Sequence, residues 1–380
     1  MTLASLPPLS LYVHIPWCVK KCPYCDFNSH AVRDEIPEAA YVEAVLRDLE
    51  QEARAASGRK IHSIFIGGGT PSLFSPKGIG DILEGANRII PFDGDIEITM
   101  EANPGTFEQA KFAGFKSAGV NRLSVGVQSF NTAHLERLGR IHSGNEACTA
   151  IESARALGFD RLNIDLMHGL PDQTPEQALS DLNTALELGP DHLSWYQLTI
   201  EPNTEFHAKP PVIPEDESLW AIQQAGHDRL NACGFTQYEV SAYAKQPSSR
   251  AKHNINYWQF GDYLGVGAGA HGKVTTPDGE IVRRWKQRSP KAYLNAINPL
   301  GGETAIAPED RPFEFMMNAL RLIDGVEQDL YSERTGQPFS HIEPLVRSLR
   351  QKGLITPDRL QTTPLGQRFL NDVLEAFLAF

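Results

Sequence analysis

Leu11-Tyr12-Val13-His14-Ile15-Pro16-Trp17-Cys18-Val19-Lys20-Lys21-Cys22-Pro23-Tyr24-Cys25 carries a short apolar strand candidate, Leu11–Ile15, straight into a loop with three cysteines. An amphipathic helical run, Pro37–Ala56, follows, and the same pattern then repeats along the chain. Further strand candidates are Ser63–Ile66, Ile96–Glu101, Arg122–Val127, Arg161–Met167 and Leu193–Ile200. Each leads into a helical run: Pro76–Ile89, Phe107–Ala118, Asn145–Leu157, Thr174–Leu188 and Glu215–Ala232. Alternation of this kind predicts an α/β protein with a parallel sheet of βα units. Six repeats suit either a partial barrel or an open doubly wound sheet, and in both the chemistry gathers at the C-terminal strand ends. The unusual residues lie at those ends: the cysteine loop, Gly67-Gly68-Gly69-Thr70-Pro71-Ser72, Glu101-Ala102-Asn103-Pro104, Gln128-Ser129-Phe130, and Asp165 with His168-Gly169-Leu170-Pro171.

Three thiolates at Cys18, Cys22 and Cys25 cannot complete a four-ligand metal centre. A four-iron cluster takes one thiolate per iron, so three would leave one iron open. The alternatives are a zinc site completed by His14 or His30, or three unrelated thiols. Zinc sites usually pair two close Cys-x2-Cys units, whereas Cys148 and Cys233 stand isolated and read as buried thiols. A tight turn at Pro23-Tyr24 lets backbone N–H groups face cluster sulfides.

The triple glycine lets a ligand approach backbone N–H groups at a helix entry, beside the cysteine loop. Glu101, Gln128, Arg140 and Asp165 are individually ordinary caps or solvated loop residues. Together they can line one pocket, with carboxylates accepting from hydroxyls or an ammonium and the guanidinium clamping a carboxylate. Gly265-Val-Gly267-Ala-Gly269-Ala270 approximates a dinucleotide fingerprint but lacks the following helix, and reads as close strand packing or a bend. His253-Asn254-Ile255-Asn256-Tyr257-Trp258 sets a histidine among aromatic residues, which suits either a structural histidine or an axial haem ligand.

The 380 residues allow one large domain plus a small one, and the net charge of -12 disfavours a broad nucleic-acid surface. No apolar run is long enough to span a bilayer, and residues 1–10 lack the features of a secretory signal. An odd number of cysteines with three crowded together argues for a reducing compartment, the cytoplasm. From about residue 241 the sequence turns Gly-, Ser- and Asn-rich, with extended pieces at Asp262–Lys273 and Glu280–Trp285 that read as an accessory region completing the sheet edge. The last eighty or so residues predict helices at Pro308–Leu322, Gln328–Thr335 and Ile342–Lys352, a β-wing at Leu354–Thr363, and a helix at Gly366–Ala379. The expected divisions are thus 1–240, 241–300 and 301–380, the last resembling a winged-helix domain in a packing or docking role.

Tyr12-Val-His-Ile-Pro-Trp-Cys18 with Cys-x3-Cys-x2-Cys resembles the radical S-adenosylmethionine (SAM) superfamily. The runs Gly-Gly-Gly-Thr-Pro-Ser, Glu-Ala-Asn-Pro-Gly, Arg-Leu-Ser-Val-Gly-Val-Gln-Ser-Phe and Ile-Asp-Leu-Met-His-Gly-Leu-Pro resemble the branch that contains oxygen-independent coproporphyrinogen III oxidase. The resemblance spans nearly the whole chain and implies a partial (β/α)6 TIM-like barrel with a C-terminal winged-helix-like helical domain. The oxidase pattern carries a fourth cysteine where this chain has Phe27, and a longer N-terminal arm. In both respects, and in His-Asn-x-x-Tyr-Trp, the chain is similar instead to the HemW-type haem chaperones of that branch. That resemblance implies a [4Fe–4S] cluster on Cys18, Cys22 and Cys25. It implies SAM at Tyr12, Tyr24, Gly68, Gly69, Thr70, Glu101, Gln128, Arg140 and Asp165, and haem at His253. The expected partners are haem and a haem-acceptor protein, in particular a membrane respiratory enzyme, with neither nucleic acid nor stable membrane insertion. Rival expectations are coproporphyrinogen III oxidation and a DNA-binding iron–sulfur sensor.

Overall fold

A computed structural model describes residues 5–105, 109–159 and 161–378. Its strands are β1 (Leu9–Ile15), β2 (Trp17–Cys18), β3 (His30–Ala31), β4 (Ile61–Gly68), β5 (Phe92–Ala102), β6 (Arg122–Gln128), β7 (Arg161–His168), β8 (His192–Gln197), β9 (Thr236–Glu239), β10 (Ala242–Ala244), β11 (Asp262–Val266), β12 (His271–Thr275), β13 (Ile281–Lys286) and β14 (Leu300–Ala305). Twelve of them form one sheet in the order β14-β13-β12-β11-β1-β4-β5-β6-β7-β8-β10-β9, and β2 pairs separately with β3.

The central strands β1, β4, β5, β6, β7 and β8 are parallel and lie side by side in chain order. Right-handed crossovers that always step in one direction put every intervening helix on the same face. A doubly wound sheet needs a reversal of strand order, so the open alternative is excluded in favour of the partial barrel. The core agrees: Leu11, Val13, Ile64, Ile66, Leu123, Val125, Leu162 and Ile164 pack against Val42, Val45, Ile79, Ile82, Ile151, Leu182 and Ile222 of the helices. Each fully buried aliphatic side chain there contributes about 1.5–3 kcal/mol. Helix starts are fixed locally, by Ser75 accepting from the Gly78 N–H and by capping boxes at Ser143/Glu146 and Thr174/Gln177.

The helix-free face is polar. With side chains alternating along a strand, Tyr12 and His14 of β1, Glu97 and Glu101 of β5, Arg122 and Ser124 of β6, Asn163 and Asp165 of β7, and His192, Ser194 and Tyr196 of β8 share that face. Its lower half is tied together by His192 to Asn163 (2.6 Å), Asn163 to Ser124 and Asp165 (both 2.8 Å), and Ser124 to Asp165 (2.7 Å).

Several expectations need correction. The extended piece expected over 262–273 is two antiparallel strands, β11 and β12, joined by a turn in which Gly267 takes φ +103°. A Cβ on Gly265 would lie 2.0 Å from the His271 carbonyl oxygen, so the glycine run serves close strand approach. The strands β11 to β14 extend the sheet beyond β1, and β9 and β10 extend its other edge beyond β8. Position 240 falls between β9 and β10, and position 300 is the first residue of β14. The helices Thr132–Arg137 and Lys252–Trp258 have no counterpart in the sequence reading. The start of the helix expected over 107–118 and the end of that expected over 366–379 lie outside the described residues; helix is observed at Phe112–Ser117 and Leu370–Leu378.

The C-terminal helices Arg311–Ala319, Gln328–Thr335, Glu343–Gln351 and Leu370–Leu378 gather around a second core that includes Phe315, Tyr331, Val346, Leu349 and Phe377. The wing is reduced to isolated bridges, Ile355 with Thr362 and Val326 with Leu360. Phe260 and Ile281 also enter this core, and the Arg321 guanidinium lies 5.3 Å from the Trp258 ring, which joins the helical region to the sheet edge. Among the described residues no helix is long and apolar enough to cross a membrane.

Candidate functional site

At the C-terminal end of β1 the chain enters the cysteine loop, and the glycine run at the end of β4 holds it. Gly69 N–H donates to the Ile15 carbonyl and Thr70 N–H to that of Trp17, both at 2.7 Å. Those amides are therefore committed to the loop, which corrects the expectation that they face a ligand. The glycines are needed for that approach, because a Cβ on Gly69 would meet the Trp17 carbonyl oxygen at 2.4 Å, and one on Gly68 (φ +111°) the His14 ring at 2.5 Å.

Within the loop, Cys25 N–H donates to the Cys22 carbonyl at 3.1 Å, which forms the turn around Pro23-Tyr24. Cys25 Sγ lies 3.7 Å from Ser29 Oγ, and the Cys18 thiol meets the Thr70 and Ser29 hydroxyls. Burial first, and the neighbouring thiols second, push Cys18 up; burial does the same to Cys25, so both favour the protonated form without a cation. The Arg140 guanidinium reaches Cys22 Sγ at 3.8 Å and also donates to Asn103 Oδ1 and the Gly126 carbonyl, each at 2.7 Å. Its role is thus to brace the loop rather than stand free as a carboxylate clamp.

The donor set suits a cluster better than a single ion. Among the described residues no three His, Cys, Asp or Glu side chains converge as one metal ion requires, while the three thiols lie close enough to influence one another. His14 cannot complete a zinc site: its ring nitrogens are bonded to Tyr12 OH (2.8 Å) and the Asn28 carbonyl (2.9 Å). A cluster spreads one thiolate over each iron and so needs proximity without convergence.

Beside the loop is a cavity of about 780 Å³, within the roughly 300–1,000 Å³ range of small-molecule sites. Tyr12, Gly68, Glu101 and His253, four of the expected site residues, line it together. Glu101 Oε2 accepts from Gly68 N–H at 3.1 Å, and burial, with Asp165 nearby, pushes its carboxyl up to about 7. Tyr24, Gln128, Arg140 and Asp165 stand behind this wall. Tyr196 connects them: its hydroxyl donates to Gln128 Oε1 at 2.7 Å, and the charges of Asp165, Tyr24, Arg140 and Glu101 all act on it. Gln128 holds a left-handed φ of 68°, a strained backbone for a side chain of its type.

The opposite wall is the seven-residue helix Lys252–Trp258. Glu97, fully buried and 3.5 Å from Arg122, accepts from Lys252 N–H at 2.7 Å, and Asn256 Nδ2 donates to Ser10 Oγ at 2.9 Å. Held so, His253 lies against Phe65 with ring centroids 5.2 Å apart and its Nδ1 buried without a partner. Burial lowers its pKa to about 4, so the imidazole is neutral, the form that ligates metals. Tyr257, one helical turn on, lines the same cavity, whereas Trp258 turns to the C-terminal helices.

Sequence reasoning missed Phe65, Tyr196, Tyr263, Trp285 and Arg288. Phe65 and Tyr196 were recoverable from strand alternation, since Phe65 sits in register with Tyr12 and Tyr196 with Met167. Tyr263, Trp285 and Arg288 reach the cavity only because β11 pairs parallel with β1, a long-range event without a local signal. Phe27 is at the cavity rim, 57% exposed, and has no atom able to ligate iron.

Comparison with known proteins gives two family matches: the Radical SAM superfamily over residues 12–185 and the HemN C-terminal domain over residues 306–369. The chain is 51% identical over 379 residues to "Heme chaperone HemW" of Escherichia coli (strain K12), covering 99% of this chain and 100% of that protein. It is 34% identical over 381 residues to "Heme chaperone HemW" of Bacillus subtilis (strain 168), covering 97% and 99%. Among solved structures it resembles that reported as "Coproporphyrinogen III oxidase (HemN) from Escherichia coli is a Radical SAM enzyme", with a TM-score of 0.81 and 25% identity over 98% of this chain and 90% of that one.

Proposed function

We propose that this chain, which belongs to the HemW family of haem chaperones within the radical SAM superfamily, binds haem and passes it to an acceptor protein. The observation that carries this reading is 51% identity along the full length of a haem chaperone, against 25% to the oxidase whose fold it shares. Phe27, in place of the oxidase's fourth cysteine, separates the two in the same direction. The acceptor we favour is a membrane respiratory haem enzyme. All five cysteines are free, which suits the reducing cytoplasm.

Cys18, Cys22 and Cys25 would hold a [4Fe–4S] cluster, with Thr70, Ser29 and Arg140 stabilising the thiolates. A reduced cluster of this type supplies an electron for radical chemistry on SAM. Tyr12, Gly68 and Glu101 would line the SAM site, Gly69 and Thr70 would fix the loop beside it, and Tyr24, Gln128, Arg140 and Asp165 would support its wall. His253 would ligate haem through a neutral imidazole, with Phe65 and Tyr257 packing on the ring system.

The test is one anaerobically reconstituted sample, titrated with haem, offered an apo haem protein as acceptor, and assayed separately with coproporphyrinogen, SAM and a reductant. Haem binding and transfer without protoporphyrinogen formation is the expected result. Clear turnover of coproporphyrinogen would overturn the chaperone reading.

The raised Glu101 pKa makes a second prediction. An ammonium group beside this carboxylate favours its ionised form, so binding below pH 7 must first remove a proton from Glu101. From pH 8 to pH 6 the affinity for SAM, measured by calorimetry, should fall about ten-fold more in the parent protein than in Glu101→Gln. Equal pH slopes in the two proteins would remove Glu101 from the ammonium site.

A further inference from the structure

The cavity has unlike ends. Toward β5 it is bounded by Glu101, with Asp165 behind it. Toward β12 and β13 it is bounded by His271 and Arg288, and burial first, then Arg283 and Arg288, lower the His271 pKa. Arg283 is already paired with Glu314. Arg288 is exposed, and its guanidinium has no ion pair or hydrogen bond among the described residues. Its backbone is nevertheless held, because the Arg288 carbonyl accepts from Asn28 Nδ2 at 2.8 Å. Asp26 lines the same mouth without pairing with it. Between the two ends the walls are the rings of Phe65, Tyr257, Tyr263 and Trp285, with Tyr257 and Tyr263 5.5 Å apart.

Aromatic walls with one unpaired cation at the mouth match a flat apolar ring whose carboxylates all lie along one edge. We propose that Arg288 binds the propionate carboxylates of haem and so sets which edge of the porphyrin faces β12 and β13; this rests on the haem reading above. Guanidinium and carboxylate match in shape as well as charge, through paired N–H donors. The His253 side then receives the ring and the Arg288 side its acidic edge. Arg288 is a positioning residue, distinct from the iron ligand. Because it is exposed, its contribution is small and weakened by salt.

The experiment titrates full-length protein and its Arg288→Gln variant with haem and with haem dimethyl ester, whose carboxylates are masked. In low salt the variant should bind haem about five-fold more weakly than the parent, and at about 1 M salt the difference should shrink below about two-fold. The ester should bind both proteins equally, at the strength of haem on the variant. Equal haem affinities, or equal weakening for haem and ester, would overturn the proposal while leaving haem binding intact. Failure of the parent protein to bind haem at all would overturn both readings.

Discussion

Cys22→Ala is expected to lose the iron–sulfur cluster, with iron and acid-labile sulfide falling to near background after reconstitution and the charge-transfer absorbance near the visible edge disappearing. Cys22 lies 3.8 Å from the Arg140 guanidinium, and the turn through Cys25 N–H to the Cys22 carbonyl sets its neighbour in place. Removing it leaves two thiolates for four irons, and no other described cysteine can substitute: Cys148 is on helix Gly144–Ala156 and Cys233 follows helix Asp216–Ala232, on the far face of the sheet. The Ala side chain asks little of the fold, since Cys22 is only partly buried and in a loop. Far-UV dichroism should therefore be unchanged, and Cys148→Ala should keep its full complement of iron. A Cys22→Ala protein that retains normal iron and sulfide would exclude this ligand assignment.

The strand–loop–helix rhythm was legible because each βα unit is a local object. The helix expected over 76–89 matches Pro76–Ile89, where Ser75 and Pro76 mark its start. Strand ends were extended by one to four residues where pairing with a neighbour, which local sequence does not encode, added ladder bonds, as at Ile61 and Gly68 of β4, whereas the strand expected to reach Ile200 stops at Gln197. Partial barrel and doubly wound sheet were inseparable from composition alone, because the distinction is the order β1-β4-β5-β6-β7-β8. One signal did point to it. Arg122-Leu-Ser-Val-Gly, Arg161-Leu-Asn-Ile-Asp and His192-Leu-Ser alternate polar with apolar residues, whereas a sheet covered by helices on both faces reads as a continuous apolar run.

The site was legible in its residues more than in their contacts. Tyr12, Gly68, Glu101 and His253 do share a cavity, but Gly69 and Thr70 spend their amides on Ile15 and Trp17, and Arg140 is engaged by Asn103 and Gly126. A sequence names a glycine or an arginine without saying which carbonyl lies opposite. The stretch 252–258 carries asparagine, histidine and aromatic residues of modest helix propensity, yet folds as a helix. Glu97, 155 residues earlier, accepts from its first N–H, and Ser10 binds Asn256. Tertiary bonds override local preference there, and they also determine that His253 faces the cavity.

His253→Ala should weaken haem binding on the order of a hundred-fold, since even the outer partners of a metal ligand are worth 10–100-fold in affinity. The helix that carries the imidazole is held by Glu97 on Lys252 N–H and by Asn256 on Ser10, neither of which depends on the ring; only the contact with Phe65 is lost with it. Removing the ring should leave the helix, the cluster absorbance and the thermal midpoint close to those of the parent. Haem titration followed in the Soret band measures both strength and ligation. Added imidazole should restore the parent spectrum in the variant if His253 is the iron ligand. A weakened variant whose Soret position matches the parent and does not respond to imidazole would assign His253 to packing. Unchanged affinity would move the ligand to another residue of the cavity, of which His271 is the first to test, because it shares the mouth with Arg288 and its pKa is lowered by burial and by the two arginines.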